Sequence, residues 1–103
     1  MGTYCPPVPP EIFPFPVLDA LRDGDDASLQ CYAYKGDTPM TISWTFHGRD
    51  VSMEREFTTQ AVGSRTKILV IPSVSHGHSG TYTCIARNAA GRAEYSTQLV
   101  VKG

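Results

Sequence analysis

Short stretches of alternating apolar and other residues run along most of the chain. Leu29, Cys31 and Ala33 alternate with larger or polar side chains across residues 27–34, and residues 41–47, 80–87 and 93–101 show similar alternation. Such alternation is typical of strands, because successive side chains point to opposite faces of a sheet. Turn residues separate these stretches, and no segment keeps a helical period over three turns. The pattern predicts about seven or eight short strands in an all-β sandwich or barrel.

One predicted strand breaks this alternation. Residues 65–74 have the sequence RTKILVIPSV, in which Ile68, Leu69, Val70 and Ile71 stand in a row. A strand that covers one side of a core needs only one apolar face. The second apolar face of this strand therefore needs its own explanation, and contact with a partner is one candidate.

The N-terminal part of the chain is rich in proline. Six of the eight prolines lie within residues 1–16. Proline lacks a backbone N–H and is tolerated mainly at the edge of a sheet. We therefore expect an extended arm over residues 1–8, a broken edge strand after it, and a single domain over residues 9–103, which is an ordinary length for one domain.

The charge balance limits the classes of partner. Nine Lys and Arg residues face ten Asp and Glu residues, which gives a net charge of −1. Binding to nucleic acid or to an anionic membrane surface would call for a basic patch, so neither is expected. We also find no grouping that resembles a catalytic nucleophile with its base. His76-Gly77-His78 has the look of a metal-binding pair without a third ligand nearby, so neither a metal nor a cofactor is expected.

Two further short motifs admit a structural and a functional interpretation. The three cysteines, Cys5, Cys31 and Cys84, allow at most one internal disulfide and leave one thiol over. Cys5 is the candidate for that thiol, either as a free tail residue or as a link to another chain. Lys35-Gly36-Asp37 resembles an integrin-binding tripeptide, but we interpret it as a turn between strands.

The spacing around the other two cysteines resembles an immunoglobulin domain. Trp44 follows Cys31 by 13 residues, and Tyr82 lies two residues before Cys84. The later pattern, from Leu69 to Gly91, is similar to the intermediate set of these domains. The resemblance implies a two-sheet Greek-key sandwich with a Cys31–Cys84 inter-sheet disulfide in an oxidising, extracellular setting. The core residues that it implies are Trp44, Tyr82, Leu69 and Ile71.

His78 departs from the pattern of the resembling family. Members usually carry Asp at this position, and that Asp typically pairs with an arginine at the start of strand E, which here is Arg65. We expect His78 to be a solvent-exposed loop residue. The alternative is a pH-sensitive local contact, in which a protonated His78 would repel Arg65.

Four segments narrow the resemblance to the Dscam family of neural adhesion proteins. They are PEIFPF at residues 10–15, QCYAYKGDTP at 30–39, ISW at 42–44 and GSR at 63–65. The chain looks most like the arthropod forms, and the shortened Dscam proteins of chelicerates begin with such a domain. The resemblance implies isoform-specific homophilic adhesion at the cell surface by part of a larger, membrane-anchored protein.

The resemblance also suggests which surface is adhesive. Leu69 and Ile71 of strand E point inward in the family, so Ile68 and Val70 point outward on the A-B-E-D sheet. We expect this face to bind a second copy, antiparallel about a two-fold axis. Its expected residues are Ile68, Val70, Tyr32, Gln30, Thr66, Ser28 and Phe13. In an alternative interpretation, Ile68 and Val70 only stiffen the strand, and the domain is a heterophilic module that binds through its loops or the G-F-C face, or a spacer in a tandem array.

Overall fold

A computed structural model describes residues 6–102 of the chain, so Cys5 lies outside the described part. Within residues 6–102, two three-residue 3-10 turns, Val51–Met53 and His76–His78, accompany the β-strands. The strands are β1 (Glu11–Ile12), β2 (Leu18–Arg22), β3 (Ala27–Lys35), β4 (Thr41–Phe46), β5 (Arg49–Asp50), β6 (Thr58–Val62), β7 (Thr66–Ile71), β8 (Gly80–Asn88) and β9 (Gly91–Lys102).

The strands form two packed sheets. One sheet has the order β1-β3-β7-β6, which corresponds to strands A, B, E and D, and the other has the order β2-β9-β8-β4-β5. Neighbouring strands in the first sheet are antiparallel, and in the second sheet only β2 and β9 run parallel. The predicted immunoglobulin sandwich is confirmed.

The proline-rich start of the chain is divided between the two sheets. β1 pairs with β3, and the last backbone bond of this stretch joins the Phe13 N–H to the Tyr32 carbonyl at 2.8 Å. Pro14 and Pro16 then occupy the crossing, where missing N–H groups cost no ladder bond. β2 continues on the other sheet, where Leu18 lies opposite Leu99 of β9.

The core lies between the sheets and contains the disulfide. Cys31 of β3 and Cys84 of β8 are bonded with a Cα–Cα distance of 6.3 Å, and both are fully buried. Trp44 is buried beside them, and its Nε1 donates to the Lys67 carbonyl across the sheets at 3.1 Å. The Lys67 ammonium in turn donates to the Ile42 carbonyl at 3.1 Å. Leu69, Ile71 and Tyr82 complete the centre of the core.

The expectation that His78 is solvent-exposed is wrong. Its relative exposure is 7%, and its Nδ1 accepts the Ser75 backbone N–H at 2.9 Å. Because Nδ1 accepts, the neutral ring carries its proton on Nε2, which lies 3.1 Å from the Glu56 carboxylate. The Tyr82 hydroxyl donates to the His78 carbonyl at 2.7 Å and completes the corner. Burial raises the pKa of Tyr82, and the negative charge of Glu56 acts in the same direction.

The expectation that Arg65 faces position 78 is also wrong. Arg65 donates to the carbonyls of Ala33 at 3.3 Å and Gly36 at 2.8 Å. It stands just before β7, whereas His78 follows that strand's far end, and a six-residue strand is about 20 Å long. Glu56, which precedes β6, is therefore the residue within reach of His78.

The remaining short motifs have structural contacts. The Asp37 carboxylate accepts the Val8 backbone N–H at 3.0 Å, and Gly36 adopts φ +117° where a Cβ would come within 2.7 Å of Pro10. Lys35-Gly36-Asp37 thus forms a turn that holds the start of the chain. Over residues 6–102, no three His, Cys, Asp or Glu side chains are grouped as metal ligands. In the same range, no helix is long and apolar enough to cross a membrane.

Candidate functional site: the outer face of the four-stranded sheet

The strand register arranges the outward side chains of β3, β7 and β6 in three rows. Ser28 lies opposite Val70, Gln30 opposite Ile68, and Tyr32 opposite Thr66. On the other side of β7, the β7 residues Val70, Ile68 and Thr66 lie opposite Thr58, Gln60 and Val62 of β6, in that order. Directly opposed side chains are close enough to contact one another. We call this surface, together with Phe13 and Tyr34 at its β1 side, the outer face.

The two ends of the outer face differ in size and exposure. At one end lie four exposed apolar or aromatic side chains: Phe13 at 58%, Val62 at 49%, Tyr32 at 42% and Tyr34 at 39% relative exposure. The opposite end has the small residues Ser28 and Thr58 beside Val70. The outer face therefore has a large aromatic end and a small end.

Ile68 and Val70, the residues that broke the strand alternation, are half-buried. Ile68 is flanked on both sides by the long side chains of Gln30 and Gln60. Neighbours of this length cover part of an apolar side chain. The exposed apolar area thus lies mainly toward the aromatic end of the outer face.

None of the outward positions of β3, β6 and β7 carries a charge. Charged residues lie at the rims of the face: Glu11 and Lys35 form an ion pair at 3.6 Å beside the aromatic end, and Asp26 precedes β3 at the small end. Tyr34 lies beside this pair, with its hydroxyl 3.5 Å from Glu11 and its ring 5.8 Å from the ring of Phe13. Charged residues make up 18% of the chain, so the absence of charge from these outward positions distinguishes this face from the chain as a whole.

The outward side of the five-stranded sheet has a different character. Arg87 and Arg92 face each other across β8 and β9, and Glu94 forms an ion pair with Arg92 at 2.8 Å. Hydroxyl groups fill much of the remaining surface, as in the bond between Thr83 and Ser96 at 2.7 Å. Charged and hydrogen-bonded side chains of this kind are typical of a solvated face.

One enclosed surface cleft among the described residues offers no catalytic arrangement. It has a volume of about 220 Å³ and is lined by Phe46, His47, Arg49, Glu54, Glu56 and Phe57. This lining has no Ser, Thr, Cys or Lys that a base could activate as a nucleophile. Glu54 pairs with Arg49 at 3.7 Å and Glu56 contacts His78 at 3.1 Å, so both carboxylates of the cleft are already partnered.

All seven residues that the sequence suggested for a recognition surface lie on or beside the outer face. Tyr34 and Val62 were missed. Tyr34 could have been found, because it continues the alternation of Tyr32 along β3. Val62 could not, because its place in the row of Tyr32 depends on the pairing of β6 with β7.

Comparisons with known proteins agree with this fold. Residues 9–88 match the family model described as "Immunoglobulin domain". Dscam1 of Drosophila melanogaster is 41% identical over 96 residues, which cover 91% of this chain and 5% of the relative. DSCAM of Homo sapiens is 37% identical over 95 residues, which cover 92% of this chain and 5% of the relative. Both relatives are described as cell adhesion molecules.

Solved structures show the same relationship. The crystal structure of the Dscam1 Ig7 domain, isoform 5, aligns with a TM-score of 0.86 at 37% identity, covering 92% of this chain and 98% of that one. The titin I-band fragment I67–I69 aligns with a TM-score of 0.81 at 31% identity, covering 90% of this chain and 32% of that one.

The chain belongs to the immunoglobulin domains, as the matched family model and the bridged two-sheet sandwich show. Within that class it is an immunoglobulin domain of the Dscam family of cell adhesion molecules. The chain spans about 5% of the length of the curated relatives that it matches.

Proposed function

We propose that this domain mediates isoform-specific homophilic adhesion outside the cell, through antiparallel docking of the outer face on a second copy. The observation that carries the proposal is the absence of charge on the outward positions of β3, β6 and β7. In a two-fold interface, each residue near the axis faces its own copy, so any charge there meets a like charge. An uncharged face avoids this repulsion. Residues 9–103 form the adhesive domain in this proposal, and residues 1–8 form its leading arm.

The shape of the outer face favours the antiparallel orientation. One possible two-fold axis runs across the strands, along the row of Gln30, Ile68 and Gln60. This axis would bring β3 over β3 and β7 over β7, with the paired strands running in opposite directions. The aromatic end, with Tyr32 and Val62, would then cover the small end of the partner, with Ser28 and Thr58. An axis along the strands would instead stack the two large ends on each other. In the antiparallel dimer, Ile68 and its copy meet at the axis.

The expected affinity of one domain is weak. Full burial of a large apolar side chain contributes roughly 1.5–3 kcal/mol, and the four residues of the aromatic end are already about half covered. Burial of the remaining exposed part of each side chain would thus contribute about 1 kcal/mol. The four side chains of both copies would together contribute about 8 kcal/mol. Association costs about 4–15 kcal/mol. Adhesion would therefore depend on many such contacts acting together between cells.

A charge-pair experiment tests self-docking at Ile68. Two aspartates about 5 Å apart repel by about 3 kcal/mol at an effective dielectric constant of about 20. We expect Ile68→Asp and Ile68→Lys each to be monomeric in sedimentation equilibrium, and their equimolar mixture to dimerise. Ser96→Asp, on the outer side of the other sheet, is the matched control and should leave the dimer unchanged.

Other outcomes would favour other functions. Dimerisation that survives Ile68→Asp but is lost in Ser96→Asp would move recognition to the opposite sheet. A wild-type domain that stays monomeric up to millimolar concentration would contradict homophilic binding by this domain alone. The domain would then be a heterophilic module or a spacer between other domains.

A further inference from the structure

The five-stranded sheet ends in a strand that is only partly covered. β5 pairs with β4 only at Thr45 and Phe46, so over residues 41–44 no described strand borders the outer edge of β4. The sequence of β4 is TISWTF, which is rich in β-branched and aromatic residues and contains no charge, proline or glycine. An uncovered segment of this composition is prone to pair with a strand of another molecule.

The other edge strands have features that discourage such pairing. β1 has two residues and lies among prolines, and β5 consists of Arg49 and Asp50. β2 carries Asp19 and Arg22, and β6 is five residues long and largely polar. Short length, proline and charge all make an edge a poor template for a further strand. β4 is therefore the edge strand that most needs protection.

Two backbone positions of β4 face the uncovered edge. The His47 N–H donates to the Thr81 carbonyl of β8 at 3.3 Å, whereas Phe46 pairs with β5. The backbone groups of successive residues point to opposite sides of a strand in an antiparallel ladder. Those of Ile42, Trp44 and Phe46 therefore point away from β8. Because β5 covers only Phe46, the backbone groups of Ile42 and Trp44 lie at the open edge.

Lys67 of β7 occupies one of these open positions. It lies opposite Cys31, whose side chain enters the core, so the Lys67 side chain also points between the sheets. Its ammonium donates to the Ile42 carbonyl at 3.1 Å, and its own carbonyl accepts Trp44 Nε1 at the same distance. Lys67 is the only charged residue that lines the groove of about 330 Å³ between β4 and the turn after β6. It belongs to none of the ion pairs within residues 6–102.

We propose that Lys67 is an edge-protecting residue, which prevents β4 from pairing with β4 of a second copy. A charged side chain that points inward at a sheet edge opposes the addition of a strand. An incoming strand would need the Ile42 carbonyl and would have to displace the ammonium from it. The displaced charge would then remain in a partly buried groove without this acceptor, which is unfavourable.

Protection of this edge matters for recognition because edge pairing does not depend on side chains. Backbone N–H and carbonyl groups are the same in every copy, whereas docking through the outer face depends on the side chains of that face. An open β4 edge would join unlike copies as readily as like ones. This consequence rests on the proposed function, but the state of the edge itself does not.

Self-association of a Lys67→Met variant tests the protection. The test uses an Ile68→Asp background, in which the outer face is disabled, and methionine keeps a flexible stem without the ammonium. In sedimentation equilibrium, we expect Ile68→Asp/Lys67→Met to self-associate with a dissociation constant lower than that of Ile68→Asp by about tenfold or more. Lys67→Arg keeps a donor for the Ile42 carbonyl and should not associate more than its parent. Lys102→Met removes the same charge from an exposed site and is the matched control.

Amide hydrogen exchange locates the new contact. In the associated variant, the amides of Ile42 and Trp44 should exchange more slowly by about tenfold or more at high than at low protein concentration. The Ser43 amide, which points toward β8, should not change. A mere loss of stability would accelerate exchange throughout the core instead. Ser43→Asp, added to the same variant, should restore the monomer, because like charges would then lie close together across the antiparallel pair.

The outcomes separate this inference from the proposed function. If Lys67→Met does not fold, Lys67→Thr replaces it, because threonine favours strands and is too short to reach the Ile42 carbonyl. Variants without Lys67 that associate no more than their parents, with unchanged exchange at Ile42 and Trp44, would overturn the protective role.

Mixing experiments test the consequence for recognition. Labelled Ile68→Asp should co-sediment with a chain that has the unmodified outer face only when both carry Lys67→Met. If co-sedimentation occurs equally with Lys67 intact, Lys67 does not protect the edge. A wild-type chain that stays monomeric would contradict the homophilic function and leave the result for Lys67→Met standing.

Discussion

Replacing His78 by alanine tests whether the buried ring holds the loop between β7 and β8. The ring contacts the Ser75 backbone N–H through one nitrogen and the Glu56 carboxylate through the other. The backbone carbonyl of His78 also accepts the Tyr82 hydroxyl. His78→Ala removes the acceptor of the Ser75 N–H and the ring that packs edge-on against Phe57 at 5.7 Å. We expect the free energy of unfolding to fall.

The magnitude follows from three contributions. A partly buried N–H that loses its acceptor costs about 1–3 kcal/mol. The edge-on contact with Phe57 contributes about 0.5–1.5 kcal/mol. The hydrogen bond from the neutral ring to Glu56 adds little, because the Glu56 side chain is 66% exposed and even exposed ion pairs contribute only about 0–1 kcal/mol. The expected loss is about 2–4 kcal/mol, or a decrease in Tm of roughly 10–25 °C for a domain of this size.

Urea denaturation with linear extrapolation measures this loss directly. His76→Ala is the matched control, because His76 lies two residues away in the same turn and is exposed. It should change stability by less than about 0.5 kcal/mol. If His78→Ala costs no more than His76→Ala, the reasoning about the buried ring is wrong. His78→Asn, which keeps an acceptor for the Ser75 N–H, should lose less stability than His78→Ala.

Two further predictions concern pH and salt. Because burial raises the pKa of Tyr82, the folded state disfavours its ionised form, so stability is complete below the ordinary tyrosine pKa of about 10 and declines as pH rises above it. Tyr82→Phe should lose about 1 kcal/mol at neutral pH and flatten this alkaline decline; an equally steep decline in the variant would assign it to other groups. Because the outer face carries no charge, the dimer dissociation constant should change less than twofold between 0.05 and 0.5 M salt in sedimentation equilibrium, and a tenfold change would show that charged groups contribute.

Much of the fold could be predicted from the sequence because the core residues form local patterns. The alternation of Leu29, Cys31 and Ala33 predicted β3, and the spacing of Trp44 and Tyr82 around the cysteines identified the sandwich. Such patterns arise because one face of a strand must be buried, and they do not depend on the partner strand.

The errors concern contacts whose partners are distant in sequence. The resemblance to other immunoglobulin domains suggested an arginine opposite position 78, but the sequence alone does not show that Glu56 reaches this position. His78 was expected to be an exposed loop residue, yet a neutral ring with both nitrogens engaged is readily buried. The place of Val62 on the outer face required the register of β6, which no local pattern encodes. The half-burial of Ile68 could not be predicted either, because the covering Gln60 lies on β6 and is placed beside Ile68 by the same register.

The strict alternation of β3 separates two kinds of selection on one strand. Leu29, Cys31 and Ala33 point inward and determine whether the domain folds, whereas Gln30 and Tyr32 point outward and make few contacts with the core. Substitutions at the outward positions are expected to cost little stability. A lineage could therefore duplicate this domain and vary its outward residues to produce many surfaces on one unchanged scaffold, each tested for self-recognition without a new folding problem.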